Sequence, residues 1–166
     1  MSKKEVDLDV GGYDVLTEAI RKMLDQYPGL PEGETFMFSS VPTGYGKAVF
    51  PTTGAVIQMQ RESITGHVYQ ECQYPMTILF RAAGLSQNNR VSAKEWLDTL
   101  GLWLEMQPVK VNNEVYKLQD YPVLNDTREI RDIYRQTPAY LSQINEDKSE
   151  DWLISIVVQY RNEFDK

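Results

Sequence analysis

The sequence predicts an α+β fold in which two amphipathic helices pack on one face of an antiparallel-rich sheet. Candidate strands come in runs instead of alternating with helices, and this order is typical of antiparallel sheets. Two segments carry apolar residues at the spacing of a helix with one buried side. We expect residues 1–12 to form a flexible N-terminal segment, because they are mostly charged or glycine, and residues 13–166 to form a single domain.

The first helix is predicted from Tyr13 to Gln26. Pro28 and Gly29 follow it directly and would end it. The side expected to be buried comprises Val15, Leu16, Ala19, Ile20, Met23, Leu24 and Tyr27. This stripe is wide enough to cover part of a sheet.

The second helix is predicted within Val91–Leu104. Ser92 and Glu95 have the spacing of a capping box, and Val91 and Trp96 that of a hydrophobic staple, so the helix should begin there. Asp98 and Thr99 are expected on the solvent side. The buried side would comprise Trp96, Leu97, Leu100, Trp103 and Leu104.

The longest candidate strand is His67–Ala82, whose even-numbered residues are mostly apolar and should face the core. Pro75 lies in its middle, which predicts an edge position, a bulge or a break. Ile133–Ile144 is predicted as a strand interrupted by Pro138, and with Trp152–Tyr160 it should form a closing antiparallel hairpin. Shorter strands or hairpins are predicted in Thr35–Ser39, Ala48–Phe50, Ala55–Arg61 and Val109–Leu118.

An acidic turn joins the last two predicted strands. The spacing of its carboxylates does not match a calcium-binding EF-hand loop, and no glycine provides the turn of that loop. We therefore expect a solvated hairpin tip that includes Glu146, Asp147, Glu150 and Asp151.

Composition limits the classes of function. The chain has 24 acidic and 17 basic residues, a net charge of −7, so it is not expected to grip nucleic acid over its whole surface. Like charge is compatible with DNA that passes without being held. The single cysteine excludes an intrachain disulfide, and no apolar run reaches the length of a membrane span, so no membrane association is expected.

The motifs with known chemistry are incomplete. Gly44–Lys47 lacks the Walker pattern, because Val41 stands at the position of its first glycine and Ala48 at that of its serine or threonine. His67 is the only histidine, and its odd separation from Cys72 places the two side chains on opposite faces of one strand. We therefore expect no metal, no cofactor and no enzymatic activity.

The stretch Ser40–Gly54 is rich in glycine, proline and threonine and is predicted to be a loop, with room for a small strand. Its aromatic and cationic residues are flanked mostly by small ones, as in many loops that contact partners. The candidate interface residues are Tyr45, Lys47 and Phe50.

Three segments carry a resemblance to a known family. They are the strand G-H-V-Y-Q-E-C-Q-Y-P-M-T-I-L-F-R-A, the helix S-A-K-E-W-L-D-T-L-G-L-W-L-E, and the closing P-A-Y-L-S-Q-I-N-E-D-K-S-E-D-W-L-I-S-I-V-V-Q-Y. With the N-terminal helix, this layout resembles the minor capsid or tail-terminator (head–tail joining) proteins of long-tailed phages and related prophages of Gram-positive bacteria. The resemblance runs from about Tyr13 to Tyr160.

The resemblance implies an α+β subunit of a hexameric ring in the virion, assembled in the cytoplasm of the host bacterium. Such a ring caps the tail tube protein, stops its polymerisation and meets the head connector protein, while DNA passes through its lumen. The alternative is a bacterial α+β ligand- or protein-binding module without catalysis that uses the Ser40–Gly54 loop.

Overall fold

The computed structural model of the chain describes residues 13–40, 44–83 and 87–166; the predicted flexible segment 1–12 lies outside this part. The described elements, in chain order, are α1 (Tyr13–Leu24), β1 (Phe36–Phe38), β2 (Gly46–Pro51), β3 (Val56–Glu62), β4 (His67–Ala82), α2 (Gln87–Leu104), β5 (Val109–Val111), β6 (Glu114–Tyr116), β7 (Arg128–Arg135), β8 (Tyr140–Ile144) and β9 (Glu150–Asp165).

The sheet is built on a ribbon of two long antiparallel strands. β4 and β9 pair along their whole length, from His67 opposite Asp165 to Ala82 opposite Glu150. β2 and β3 lie beside β4, one after the other, and β7 and β8 lie beside β9 in the same way. β1 pairs in parallel with the outer side of β2, whereas the other pairs in this sheet are antiparallel. The predicted antiparallel-rich α+β fold is confirmed.

Both helices bury their apolar sides against the same face of the ribbon, as predicted. Each large side chain buried there contributes roughly 1.5–3 kcal/mol. The shared core includes Leu16, Ile20 and Leu24 of α1, Leu97, Leu100 and Trp103 of α2, and the even-numbered residues Cys72, Tyr74, Met76, Ile78, Ile154, Ile156, Val158 and Tyr160 of β4 and β9. The alternation of period two in the sequence therefore identified the buried side of both long strands.

The start of α2 differs from the prediction. The helix begins at Gln87, so Ser92 lies inside it and cannot cap it, and Val91 is exposed and does not serve as a staple. Arg90 is anchored, because its Nε lies 3.0 Å from Glu150 Oε1.

Pro75 lies in the centre of the sheet, so the predicted edge, bulge or break in β4 is wrong. β2 ends opposite Met76 and β3 begins opposite Gln73, which leaves Pro75 beside the gap between them. Thr52 N donates to Pro75 O across that gap at 2.9 Å. Because the amide nitrogen and carbonyl of a strand residue point to the same side, the missing N–H of proline also faces the gap.

The predicted strand Ile133–Ile144 is divided at Pro138, as expected, into β7 and β8, and β7 begins earlier than predicted, at Arg128. Both strands pair with β9, and the closing hairpin of β8 and β9 is confirmed. At the division, Ala139 N donates to Asp98 Oδ1 at 2.7 Å. Asp98 is therefore half-buried and partnered, not on the solvent side as predicted.

The acidic turn before β9 is solvated only in part. Glu150 and Asp151 are 2% and 3% exposed, so their predicted solvated position is wrong. Arg81 Nε and Nη2 donate to the two Asp151 carboxylate oxygens at 2.7 and 2.9 Å, and this bidentate pair lowers the pKa of Asp151. The strand begins at these two carboxylates, and cations from neighbouring elements neutralise them. The exposed acids are Glu146 and Asp147.

The predicted hairpin near Asn112 is confirmed as β5 and β6, which form a separate two-stranded sheet. Asn112 and Asn113 have φ values of 50° and 68°. Two successive residues with positive φ are what the two-residue hairpin turn of type I′ requires, and asparagine tolerates that conformation. The hairpin carries Val115 on its surface, with 70% of the residue exposed.

Candidate interaction surface

The three candidate interface residues do not form one patch on a loop. Lys47 and Phe50 belong to β2, and Tyr45 comes directly before it; residues 41–43 of the predicted loop lie outside the described part. Lys47 pairs with Phe80 on the face covered by the helices, whereas Phe50 pairs with Thr77 on the opposite face. The predicted loop geometry is wrong for Lys47, whereas Phe50 lies in a strand as the predicted small strand Ala48–Phe50 allowed. The interface role of the three residues stays a prediction.

Lys47 is buried, with 3% of the residue exposed. Its Nζ donates to Glu34 Oε2 at 2.9 Å and to Tyr45 Oη at 2.7 Å. The same ammonium group lies 4.6 Å from the centroid of the Tyr45 ring, 4.9 Å from that of Phe80 and 5.3 Å from that of Trp96. We call this group of five residues the lysine cage.

The cage compensates in part for the hydration that burial removes from the ammonium group. Burial lowers the pKa of Lys47, and the Glu34 carboxylate opposes that shift. Burial raises the pKa of Glu34, but hydrogen bonds and the charge of Lys47 lower it more, so the net shift is downward. Each cation–π contact adds about 0.5–2 kcal/mol, depending on how far it is desolvated.

Tyr45 is the most exposed member of the cage, with 45% of the residue exposed. Burial, helped by a hydrogen bond with Glu34, raises the pKa of Tyr45 to about 12. Its ring lies edge-on to Phe80, with the centroids 6.0 Å apart. An exposed aromatic ring fixed in this way loses little side-chain freedom when a partner covers it, so it is suited to an interface.

The sheet face opposite the helices carries an apolar row across five strands. We call this side, which includes the odd-numbered residues of β4 and β9, the open face. The row consists of residues in direct register from β1 to β8: Met37, Ala48, Leu79, Leu153 and Tyr140. Phe50 lies beside it on the same face, two residues further along β2. The core shared by the described helices includes none of these residues.

Sequence analysis missed two parts of this surface. Glu34, Phe80 and Trp96 complete the cage from three separate parts of the chain, and no local pattern brings them together. The apolar row did leave a signal, because Leu79 and Leu153 are large apolar residues at positions whose alternation places them away from the core.

The other residues considered for chemistry stay apart. His67 Nδ1 lies 2.9 Å from Asp165 Oδ1 at the surface, and Cys72 is buried on the opposite face of β4. Burial raises the pKa of the Cys72 thiol, which leaves it less nucleophilic. Among residues 13–40, 44–83 and 87–166, no group of three histidine, cysteine, aspartate or glutamate residues is placed to hold a metal ion.

No protein-family model matches the sequence, and no curated protein matches it. None of the helices in the described part is both long and apolar enough to cross a membrane.

Proposed function

We propose that this protein is a structural component of a long-tailed phage: a tail terminator or head–tail joining protein. In this proposal it assembles into a ring that contacts the tail tube protein on one side and the head connector protein on the other. DNA passes through the lumen without sequence-specific binding. The resemblance described above supplies this class of function.

The apolar row of the open face is the observation that carries the proposal. In the described part of the chain, helices cover one side of the sheet, and the other side carries the five-strand apolar row with Phe50 beside it. The ends of the row are the exposed part: Met37 is 37% and Tyr140 44% exposed, whereas Ala48 and Leu79 in its middle are 0% and 9% exposed. Contiguous apolar surface of this kind marks sites of protein–protein contact. A protein that acts through such a face works by binding other subunits, which is the role of a joining protein.

Two further features support the proposal. The lysine cage holds Tyr45 at the surface close to the start of β2, so an aromatic contact is already in place before a partner binds. The net charge of −7 favours a lumen that does not retain DNA, because phosphates and carboxylates repel each other.

The proposal is tested by polymerising a phage tail tube protein in the presence of this chain. We expect ring-sized oligomers of the 19.2 kDa subunit at tube ends, and tubes that stop growing. Phe50→Ser and Met37→Ser should each weaken tube binding at least tenfold, because both remove apolar area from the open face. Val123→Ser is the matched control, since Val123 is exposed outside that face.

Circular dichroism of each variant shows whether the fold is retained. A wild-type chain that stays monomeric at every concentration and never binds tube ends would contradict the proposal. Equal loss of binding in the Val123→Ser control would show that the open face is not the contact surface.

The alternative is a ligand- or protein-binding module. A groove of about 550 Å³ favours this alternative, because aromatic rings, prolines and two carboxylates line the groove. These lining residues are Tyr27, Trp96, Pro28, Pro31, Glu32 and Glu95. A binding module predicts a monomer or dimer whose partner is lost when Trp96 is changed. A ring predicts a mass several times that of the chain, so sedimentation separates the two.

A further inference from the structure

The four outer strands of the sheet, β1, β3, β7 and β8, are covered unequally. Phe36 N of β1 donates to Asp25 Oδ1 at 3.0 Å, and Ile133 N of β7 donates to Tyr121 Oη at 3.2 Å, so side chains occupy these outer edges. In the described part of the chain, no hydrogen bond reaches the outer edge of β3 or of β8. Both strands are almost entirely exposed.

The uncovered edges carry little of the protection that normally prevents strand addition; in β3 the charged residues are Arg61 and Glu62, at its end. Val56–Gln60 of β3 and Tyr140–Ile144 of β8 contain no charged residue and no proline. Each run instead exposes large apolar side chains, among them Ile57 and Ile144. Natural proteins usually protect an exposed edge with charge, proline or a covering segment. Each strand does carry a bulge, which bends it but leaves its outer amides free.

The geometry points to a second copy of this chain as the partner: we propose that β8 of one subunit pairs with β3 of the next. β3 and β8 lie on opposite sides of the ribbon and run in opposite directions. A neighbour in the same orientation therefore presents its β3 antiparallel to β8, over five residues on each side. The inference rests on the proposed ring and names its subunit contact.

A contact between two different edges is heterologous, and repeating it builds rings or filaments instead of closed dimers. β3 lies beside Val68–Gln73, whereas β8 lies beside Glu150–Leu153, at the other end of the ribbon. Neighbouring subunits are therefore staggered along the strands. Closed barrels need such a stagger, because their strands tilt relative to the barrel axis.

Proline substitutions test the contact without removing a backbone hydrogen bond inside the subunit; Gln60→Pro loses only the exposed side-chain bond that Gln70 Nε2 donates to Gln60 Oε1 at 2.8 Å. Ser63 N donates to His67 O, and Asn145 N donates to Ser149 O, both at 2.8 Å. Because hydrogen-bonded and non-bonded pairs alternate in antiparallel strands, the N–H groups of Gln60 and Ile144 point outward. Gln60→Pro and Ile144→Pro should each convert the ring to a 19.2 kDa monomer.

Mixing the two variants tests the heterologous pairing itself. Gln60→Pro keeps an intact β8 and Ile144→Pro keeps an intact β3, so the mixture should form a dimer of about 38 kDa, twice the 19.2 kDa chain. The matched control is Val115→Pro, which removes an outward N–H from the separate β5–β6 hairpin and should leave the ring intact. Sedimentation from micromolar to millimolar concentration, with and without tail tubes, measures each mass.

The outcomes separate this contact from the proposed function. Variants that keep the wild-type mass would overturn the strand contact while the ring remains. Monomeric variants that fail to pair when mixed would also overturn it, since each still holds one intact edge. Loss of the ring in Val115→Pro would show that proline disrupts assembly by destabilising the subunit. It would therefore also overturn the pairing of β8 with β3.

Discussion

Lys47 and Glu34 form an ion pair whose partners differ in exposure: the lysine side chain is 2% exposed and the glutamate side chain 25%. The ammonium group is held inside the lysine cage, and the carboxylate lies at its rim. Removing the carboxylate would leave a buried charge whose remaining hydrogen bond, in the described part of the chain, goes to Tyr45 Oη. An unpaired buried charge is costly, whereas replacing both partners by apolar groups is often neutral.

Glu34→Gln should therefore lower the free energy of unfolding by about 1.5–3 kcal/mol, the range for hydrogen bonds to charged groups. Adding Lys47→Met to that variant should restore part of the loss, because the thioether chain fits among aromatic rings. Urea denaturation of Glu34→Gln, Lys47→Met and the double variant gives the coupling free energy between the two residues. Glu62→Gln is the control, since Glu62 pairs with the exposed Lys166 and should change stability by less than about 0.5 kcal/mol. A Glu34→Gln variant as stable as wild type would refute this role of the pair.

The same pair predicts a dependence on acid. The pKa of Glu34 in the folded chain lies below its ordinary value of 4.5, so its stabilising effect is complete above that pH. The effect is lost as the pH falls through the folded pKa, because the unfolded chain binds the proton first. The stability difference between wild type and Glu34→Gln should be constant above pH ~6 and should shrink toward pH ~3. Asp151 also has a lowered pKa, so both proteins lose some stability in acid. A difference that does not vary with pH would contradict the assignment.

Gly101 lies where α2 touches the sheet. A Cβ at this position would overlap the Arg135 side chain and lie 2.9 Å from Ile154 Cδ1. Arg135 Nε is also 2.7 Å from Glu105 Oε1, so moving that side chain would disturb an ion pair. Helix propensity alone favours alanine by about 1 kcal/mol. We expect Gly101→Ala to be less stable by about 1–3 kcal/mol, because overpacking outweighs propensity.

The control for that substitution is Gly54→Ala, where nothing lies within 4 Å of the added Cβ and the φ angle is not positive. It should leave the thermal unfolding midpoint unchanged or slightly raised. A Gly101→Ala variant that melts above wild type would contradict the overpacking argument, because Arg135 and Ile154 would then have moved aside at little cost.

The parts of the fold that sequence analysis predicted correctly depend on local patterns. β4 begins at His67 and ends at Ala82 as predicted, because alternation over sixteen residues is a strong signal. α1 begins at Tyr13 as predicted and ends two residues early, at Leu24. The turn at Asn112 and Asn113 was predictable because few residues accept positive φ.

The errors arose where residues distant in sequence decide the outcome. α2 extends to Gln87, where Arg90 meets Glu150, sixty residues away. Pro75 is tolerated in the sheet because it lies opposite the gap between β2 and β3. Among the described strands, no residue there needs the backbone N–H that proline lacks. Lys47 was predicted as an interface residue on a loop, but it is buried, and its burial depends on cage residues that are distant in sequence.

The gaps beside β4 and β9 also affect the shape of the sheet. It is five strands wide where β1, β2 and β8 flank the ribbon, but only three strands wide near Pro75 and Val157. Narrow sheets twist more than wide ones, so torsion should concentrate at this level. The two ends of the ribbon then point their side chains in different directions, and a rigid planar body could cover only one end. Any molecule that follows the full length of the ribbon must itself be curved.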